Sequence, residues 1–273
     1  MCKIGAKGAL SIANNTTWTN LTRLVLSENK IGDESGEAIG KNTTWKHLEE
    51  LYLSGCSLGN ASALSIASNT SWNNLKVLYL TNNNIGDEAG AAIGASVIWS
   101  NLNVLRLSSN QLGDRAAIAI GSNTVWRQLK ELDLANNNIG DEGGAMIGEN
   151  ATWRHLESLF LNRNRLGDQC AISIGQSKTW DKLIMLLLSF NKIGVAGGVA
   201  IGNNKVWKNL QRLDLNNNDL GWKSVAAVVR NTSLVNVFEM NLMGNTKLTQ
   251  ERINALKAIS LLPFDFLYLG WNV

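Results

Sequence analysis

Few side chains in this 273-residue chain could do acid–base, covalent or metal chemistry. They are His47 and His155, the cysteines Cys2, Cys56 and Cys170, and a Gly-Asp pair recurring with Asp33, Asp87, Asp114, Asp141 and Asp168. Two histidines in one site would suit metal ligation or a proton relay. No Cys/His/Asp cluster has ligand spacing, and neither a Gly-x-Ser-x-Gly nucleophile turn nor a phosphate-binding loop occurs. The Gly-Asp pair recurs too often to be a catalytic centre. The expectation is a non-enzymatic protein without cofactor or metal.

The reason lies in a period. Trp18, Trp45, Trp72, Trp99, Trp126, Trp153, Trp180 and Trp207 stand 27 residues apart without a slip, and Leu21 to Leu210 follow in step. Such a fixed spacing marks a solenoid, in which each unit stacks on the next. His47 and His155 then occupy one column four repeats apart, about 20 Å at the spacing of stacked strands, and cannot meet. Cys2 and Cys56, two repeats apart at about 10 Å, lie beyond disulfide reach. Cys170 sits in another column, so a reducing compartment is expected.

Each unit reads Trp-x-x-Leu-x-x-Leu-x-Leu-x-x-Asn-x-Ile/Leu-Gly-Asp, then small residues, then Ile-Gly-x-Asn-Thr-x. Leu24-Val25-Leu26 alternates as a strand with one buried face, and the pattern returns through Leu267 and Leu269 to give ten strands. The Asn column (Asn29, Asn83 to Asn272, with Cys56 the exception) is suited to a ladder of bonds to neighbouring backbones. Each Asp is expected to N-cap its own short helix, as over Glu34 to Lys41. Gly36, Gly90, Gly144 and Gly198 alternate with Ala63, Ala117 and Ala171, while Ile31 and Leu58 swap in turn down their column. Leu64, Ile118 and Ile172 appear in alternate units, which implies a 54-residue pair packing large against small. The Trp column is expected to be core, because stacking in every unit demands invariance; Trp222 and Trp271 break the phase and are expected at the surface. Sequons at Asn15, Asn42, Asn69, Asn150 and Asn231 share one column and read as a copied turn or cap residue.

This unit resembles the leucine-rich repeat. Its Gly-Asp and Asn-Thr-Thr elements resemble the ribonuclease-inhibitor-like group, which includes NOD-like receptors and the Ran GTPase-activating protein. It departs from that group in a short helical leg and in a Trp where an aliphatic or Cys is usual, a feature similar to the cysteine-containing subgroup. The resemblance implies an α/β fold: a curved right-handed solenoid of about ten 27-residue repeats, parallel sheet on the concave face and short helices on the convex one. Residues 1–20 read as a partial opening repeat, 21–236 as eight regular repeats and 237–273 as degenerate closing ones. Toward that end Leu234, Val237 and Phe264 replace column residues, Thr246 to Thr249 shifts the loop, and Pro263 precedes the final strand. The mid-repeat start allows a piece of a longer receptor or effector.

With 25 basic against 22 acidic residues, a net +3, neither nucleic acid nor membrane is an expected partner. No apolar stretch approaches a bilayer's thickness. A protein partner is expected, as the resemblance implies, in an intracellular setting or, for an effector, a host cytoplasm. Its site is placed on outward strand columns, where the repeat stops fixing identity: Tyr52, Tyr79, Arg106, Asp133, Phe160, Leu187 and Asp214, with Met185 beside them and Arg163 and Phe190 after the strands. Aromatics and Arg are the usual interface anchors. Phe160, Met185, Leu187 and Phe190 form one expected patch, and Tyr52, Tyr79 and Arg106 a second. A Ran-GAP-like alternative would need a rim arginine to stabilise phosphoryl transfer, with Arg23 and Arg106 the candidates.

Overall fold

A computed structural model describes residues 4–245, Ala255 and the strand pair Leu267–Tyr268. Cys2, the Thr246 to Thr249 loop, Pro263, Phe264, Phe266, Trp271 and Asn272 lie outside them. The strands are β1 (Arg23–Val25), β2 (Glu50–Tyr52), β3 (Val77–Tyr79), β4 (Val104–Arg106), β5 (Glu131–Asp133), β6 (Ser158–Phe160), β7 (Met185–Leu187), β8 (Arg212–Asp214), β9 (Glu239–Asn241) and β10 (Leu267–Tyr268). They form one parallel sheet in chain order. Its register advances one repeat per strand, as in Leu24↔Leu51 and Leu51↔Leu78.

Between the strands run α1 (Ala6–Ala13), α2 (Asp33–Lys41), α3 (Asn60–Ser68), α4 (Asp87–Gly94), α5 (Asp114–Gly121), α6 (Asp141–Glu149), α7 (Asp168–Gln176), α8 (Val195–Asn203) and α9 (Trp222–Val229). Strands stack about 4.8 Å apart, whereas helices ordinarily pack at about 8–10 Å. An array with one of each per coil must curve, with the sheet inside. The result is the curved α/β solenoid expected from the repeat.

Trp45 through Trp207 are wholly buried between the layers. Their indole Nε1 atoms donate to no protein acceptor. An unmade bond costs about 1–3 kcal/mol, yet burying about 200 Å² of ring at about 25 cal/mol/Å² returns about 5 kcal/mol, so burial wins. Trp18 differs from its column. It is 44% exposed, whereas the seven that follow it are wholly buried. Trp222, expected at the surface, is half-buried against the core.

The expected self-capping by Asp is corrected. Each Asp is the first residue of its own helix and caps the next one. Asp141 Oδ1 accepts from Gly167 N at 3.0 Å and Cys170 N at 2.7 Å, and its Oδ2 accepts from Gln169 N at 3.1 Å. Asp33, Asp87, Asp114 and Asp168 do the same one coil on. The preceding Gly makes room: a Cβ on Gly167 would lie 2.8 Å from Asp141 Oδ2. Burial pushes the Asp33 carboxyl up, but hydrogen bonds from Ser62, Gly59 and Ala61 outweigh it and hold it below the ordinary 3.8. That stability is present above the unfolded pKa and is lost as pH falls through the lower folded value.

The sequon asparagines close the other helix end. Asn69 Nδ2 donates to Gly40 O at 2.7 Å and Asn42 O at 2.9 Å, both on the preceding coil, and Asn150 repeats this with Gly121 and Asn123. Asn42, Asn69, Asn150 and Asn231 are buried.

The alternation resolves into Gly against Leu. A Cβ on Gly144 would lie 2.5 Å from Leu166 Cδ2 and 2.6 Å from Cys170 Sγ, and Gly198 meets Leu220 in the same way. The expected role of Leu64, Ile118 and Ile172 in that packing is corrected: Leu64 is exposed and Ile118 and Ile172 are half-exposed. A second Gly column lets the helices approach still closer, since a Cβ on Gly148 would lie 2.6 Å from Ile174 N.

Two substitutions test this framework by urea unfolding. Asp141→Ala strips the cap from α7 and is expected to cost about 1–2 kcal/mol although Asp141 caps nothing in its own helix. Gly148→Ala, worth about 1 kcal/mol of helix propensity elsewhere, is expected to destabilise by about 1–3 kcal/mol, because a backbone cannot step aside. A raised midpoint for either contradicts the packing described.

Candidate protein-binding face

Each three-residue strand buries its middle residue and turns its two flanking residues outward. The outward side chains of successive coils therefore line up one strand apart. The register places Tyr52, Tyr79, Arg106, Asp133, Phe160, Leu187 and Asp214 in one unbroken row. Met185 lies in the parallel row, beside Ser158 and Arg212.

The first half of the row is a charged aromatic stack. Arg23 lies 5.1 Å from the Tyr52 ring centre and 3.0 Å from Glu50. Tyr52 donates its hydroxyl to Glu50 Oε2 at 2.9 Å and meets Tyr79 edge-on at 4.7 Å. Arg106 stacks on Tyr79 at 4.5 Å and pairs with Glu131. Burial pushes the Tyr52 and Tyr79 phenols above their usual range, and the hydrogen bond to Glu131 holds Arg106 firmly protonated. Both arginines considered for transition-state stabilisation are thus held by carboxylates and rings.

The second half is apolar between acids. Phe160 and Leu187 are direct partners. Asp133 precedes them, accepting from Ser108 Oγ at 2.7 Å and Ala135 N at 3.0 Å. Burial raises its carboxyl pKa above the usual 3.8, against the lowering effect of those two bonds. Asp214 follows, accepting from Asn216 N at 3.1 Å.

Past the strand ends runs the column of Arg163 and Phe190, whose backbone conformation the sequence pattern did not reveal. Asn82, Ser109, Asn136, Arg163, Phe190 and Asn217 all have φ between 50° and 58°, and Gly55 and Gly244 share the column at 63° and 67°. This left-handed conformation suits Gly and Asn and penalises a bulky side chain. The recurrence of Asn and Gly there was the available signal. Phe190 nevertheless occupies it at φ 56°, 41% exposed, with the Arg163 guanidinium 4.2 Å from its ring centre.

Among the described residues no helix is long and apolar enough to cross a membrane, and no three His, Cys, Asp or Glu side chains come together as a metal site.

With this geometry in place, the comparisons are specific about architecture. The Leucine Rich repeat profile matches residues 19–40, 46–67, 73–94, 100–121 and 127–148. No curated protein matches the chain. A solved structure it resembles is that of the Arabidopsis receptor kinase HAESA in complex with the peptide hormone IDA and the co-receptor SERK1. The TM-score is 0.53 at 19% identity, over 83% of this chain and 34% of that one. At that identity the likeness speaks to the fold alone, and the chain spans about a third of the receptor's length. The matched segments show leucine-rich repeats within residues 19–148, and the register of coils continues the same solenoid unbroken beyond them.

Proposed function

We propose that the chain is a non-catalytic interaction module that holds another protein across its concave sheet. The observation that carries this is Phe190, a large apolar side chain kept half-exposed in a left-handed position that the other described coils give to Asn or Gly in five cases and to Glu28, Ser109 and Arg163 in the rest. The coil imposes this conformation, at about 1–3 kcal/mol for a bulky residue, and such residues cluster at functional sites. Phe160 and Leu187, half-buried on adjacent strands, extend the same apolar ground, which is a solubility liability unless a partner covers it. The leucine-rich-repeat architecture, which serves protein recognition generally, supports the same reading.

The finer assignment to ribonuclease-inhibitor-like repeats rests on the Gly-Asp and Asn-Thr-Thr elements. An intracellular location is supported by Cys56 and Cys170, both free and buried; the sequon asparagines read as turn residues, their side-chain nitrogens already bonding carbonyls of the preceding coil. Passage of the chain through a secretory pathway is then expected to add no glycan mass at Asn42, Asn69, Asn150 or Asn231. A glycan at any of these would contradict it.

Affinity capture from the source lysate tests the face. The wild type is compared with a variant carrying Tyr52→Ala, Tyr79→Ala, Phe160→Ala and Phe190→Ala, both checked for folding by circular dichroism. A protein held by the wild type and lost by the variant is expected. Equal capture by both would move the site to the helical face or the loops. Phe190→Asn alone is expected to leave unfolding free energy within about 1 kcal/mol, since relief of left-handed strain offsets the lost contact with Arg163. A loss above about 2 kcal/mol would mean that Phe190 serves the fold.

A further inference from the structure

The order of side chains along the sheet says more about the partner than that it is a protein. Phe160 and Leu187 form an apolar floor two strands wide, with Asp133 on the strand before and Asp214 on the strand after, all in one row. The neighbouring acids are already committed: Glu131 pairs with Arg106, and Glu239 accepts from Arg212 Nη2 at 2.8 Å. Among the described residues, Asp133 and Asp214 enter no ion pair, and their recorded partners are neutral donors. Two unneutralised carboxylates at either end of an apolar floor repel phosphate and favour cations.

Geometry sets the spacing. Asp133 to Asp214 is three strand steps, about 14 Å at about 4.8 Å each. An extended chain laid across the strands covers about 14 Å in four residues at about 3.4 Å each, and residues i, i+2 and i+4 face the same side. We propose, resting on the concave-face reading above, that the occupant is an extended protein segment of pattern basic-x-apolar-x-basic. Its apolar side chain seats on Phe160 and Leu187, and its two cations meet Asp133 and Asp214. The segment lies across the strands rather than adding to the sheet, because β5 to β8 are paired on both sides. Burial disfavours the charged form of Asp133, and a cation seated beside it would offset that burial.

The test is a displayed library of random twelve-residue peptides, panned on the wild type and on two folded variants. One variant is Asp133→Asn with Asp214→Asn, near-isosteric changes that keep the acceptor oxygens. The other is Phe160→Ala with Leu187→Ala. Circular dichroism and thermal unfolding establish that each is folded. Enrichment of basic-x-apolar-x-basic peptides on the wild type is expected, with affinity falling at least tenfold on either variant. Peptides lost only from the Phe160/Leu187 variant would overturn the charged pattern and leave the concave site standing. Peptides retained by both variants would overturn both. Absence of any enrichment would overturn the pattern.

Discussion

Asn83 accepts from Cys56 N at 3.1 Å and Leu58 N at 3.0 Å on the preceding coil, while its amide donates to Leu53 O and Leu80 O at 2.9 and 3.0 Å. Asn191 repeats the full set, and Asn110, Asn137 and Asn218 repeat both carbonyl bonds with one of the two accepted N–H bonds. A buried amide left without partners costs about 1–3 kcal/mol, so a coil cannot be separated from its neighbour without leaving such groups unmet. The two helix ends obey the same constraint. Carboxylates such as Asp141 cap the helix of the following coil, and asparagines such as Asn69 close the carbonyls of the preceding one. Where Asn is missing from the ladder, Cys56 Sγ takes over by donating to Leu26 O at 3.1 Å. Stability therefore resides between coils, as expected of a one-dimensional array.

That division of labour frees the outward strand columns. Because polar satisfaction, Trp burial and Gly-mediated helix approach are assigned to other columns, residues at 106, 133, 160 and 187 can vary without disturbing the stack. Two departures from comfort lie two coils apart on this face. Asp133 is an acid whose surroundings disfavour its charge, and Phe190 has a backbone suited to Asn. Local costs of this kind beside regular architecture are what support the proposed binding face.

Much of the architecture was legible because a period assigns every residue to a column, and a column that must be buried in every coil admits few residue types. The strand leucines, the Trp stack and the Asn ladder all follow from that logic. It cannot say which coil a polar atom reaches. Asp141 stands one residue from the N-cap of its own helix and one repeat from the next, and only three-dimensional stacking decides that its carboxylate turns forward. Columns also assume that every coil buries its residues alike, which fails for Trp18. Leu64, Ile118 and Ile172 shared the alternation that made Leu166 a packing partner of Gly144, but their helical position turns them outward. For the candidate site, the row itself was readable, whereas the pairing of Arg106 with Glu131 and the left-handed backbone under Phe190 were not. Both depend on side-chain reach and turn geometry that spacing does not encode.

The most direct measurement is site-specific photo-crosslinking in the source lysate, with benzoylphenylalanine placed at position 160 on the sheet or position 64 on the helices. The account predicts a protein adduct from 160 and none from 64. An adduct from 64 without one from 160 would contradict it.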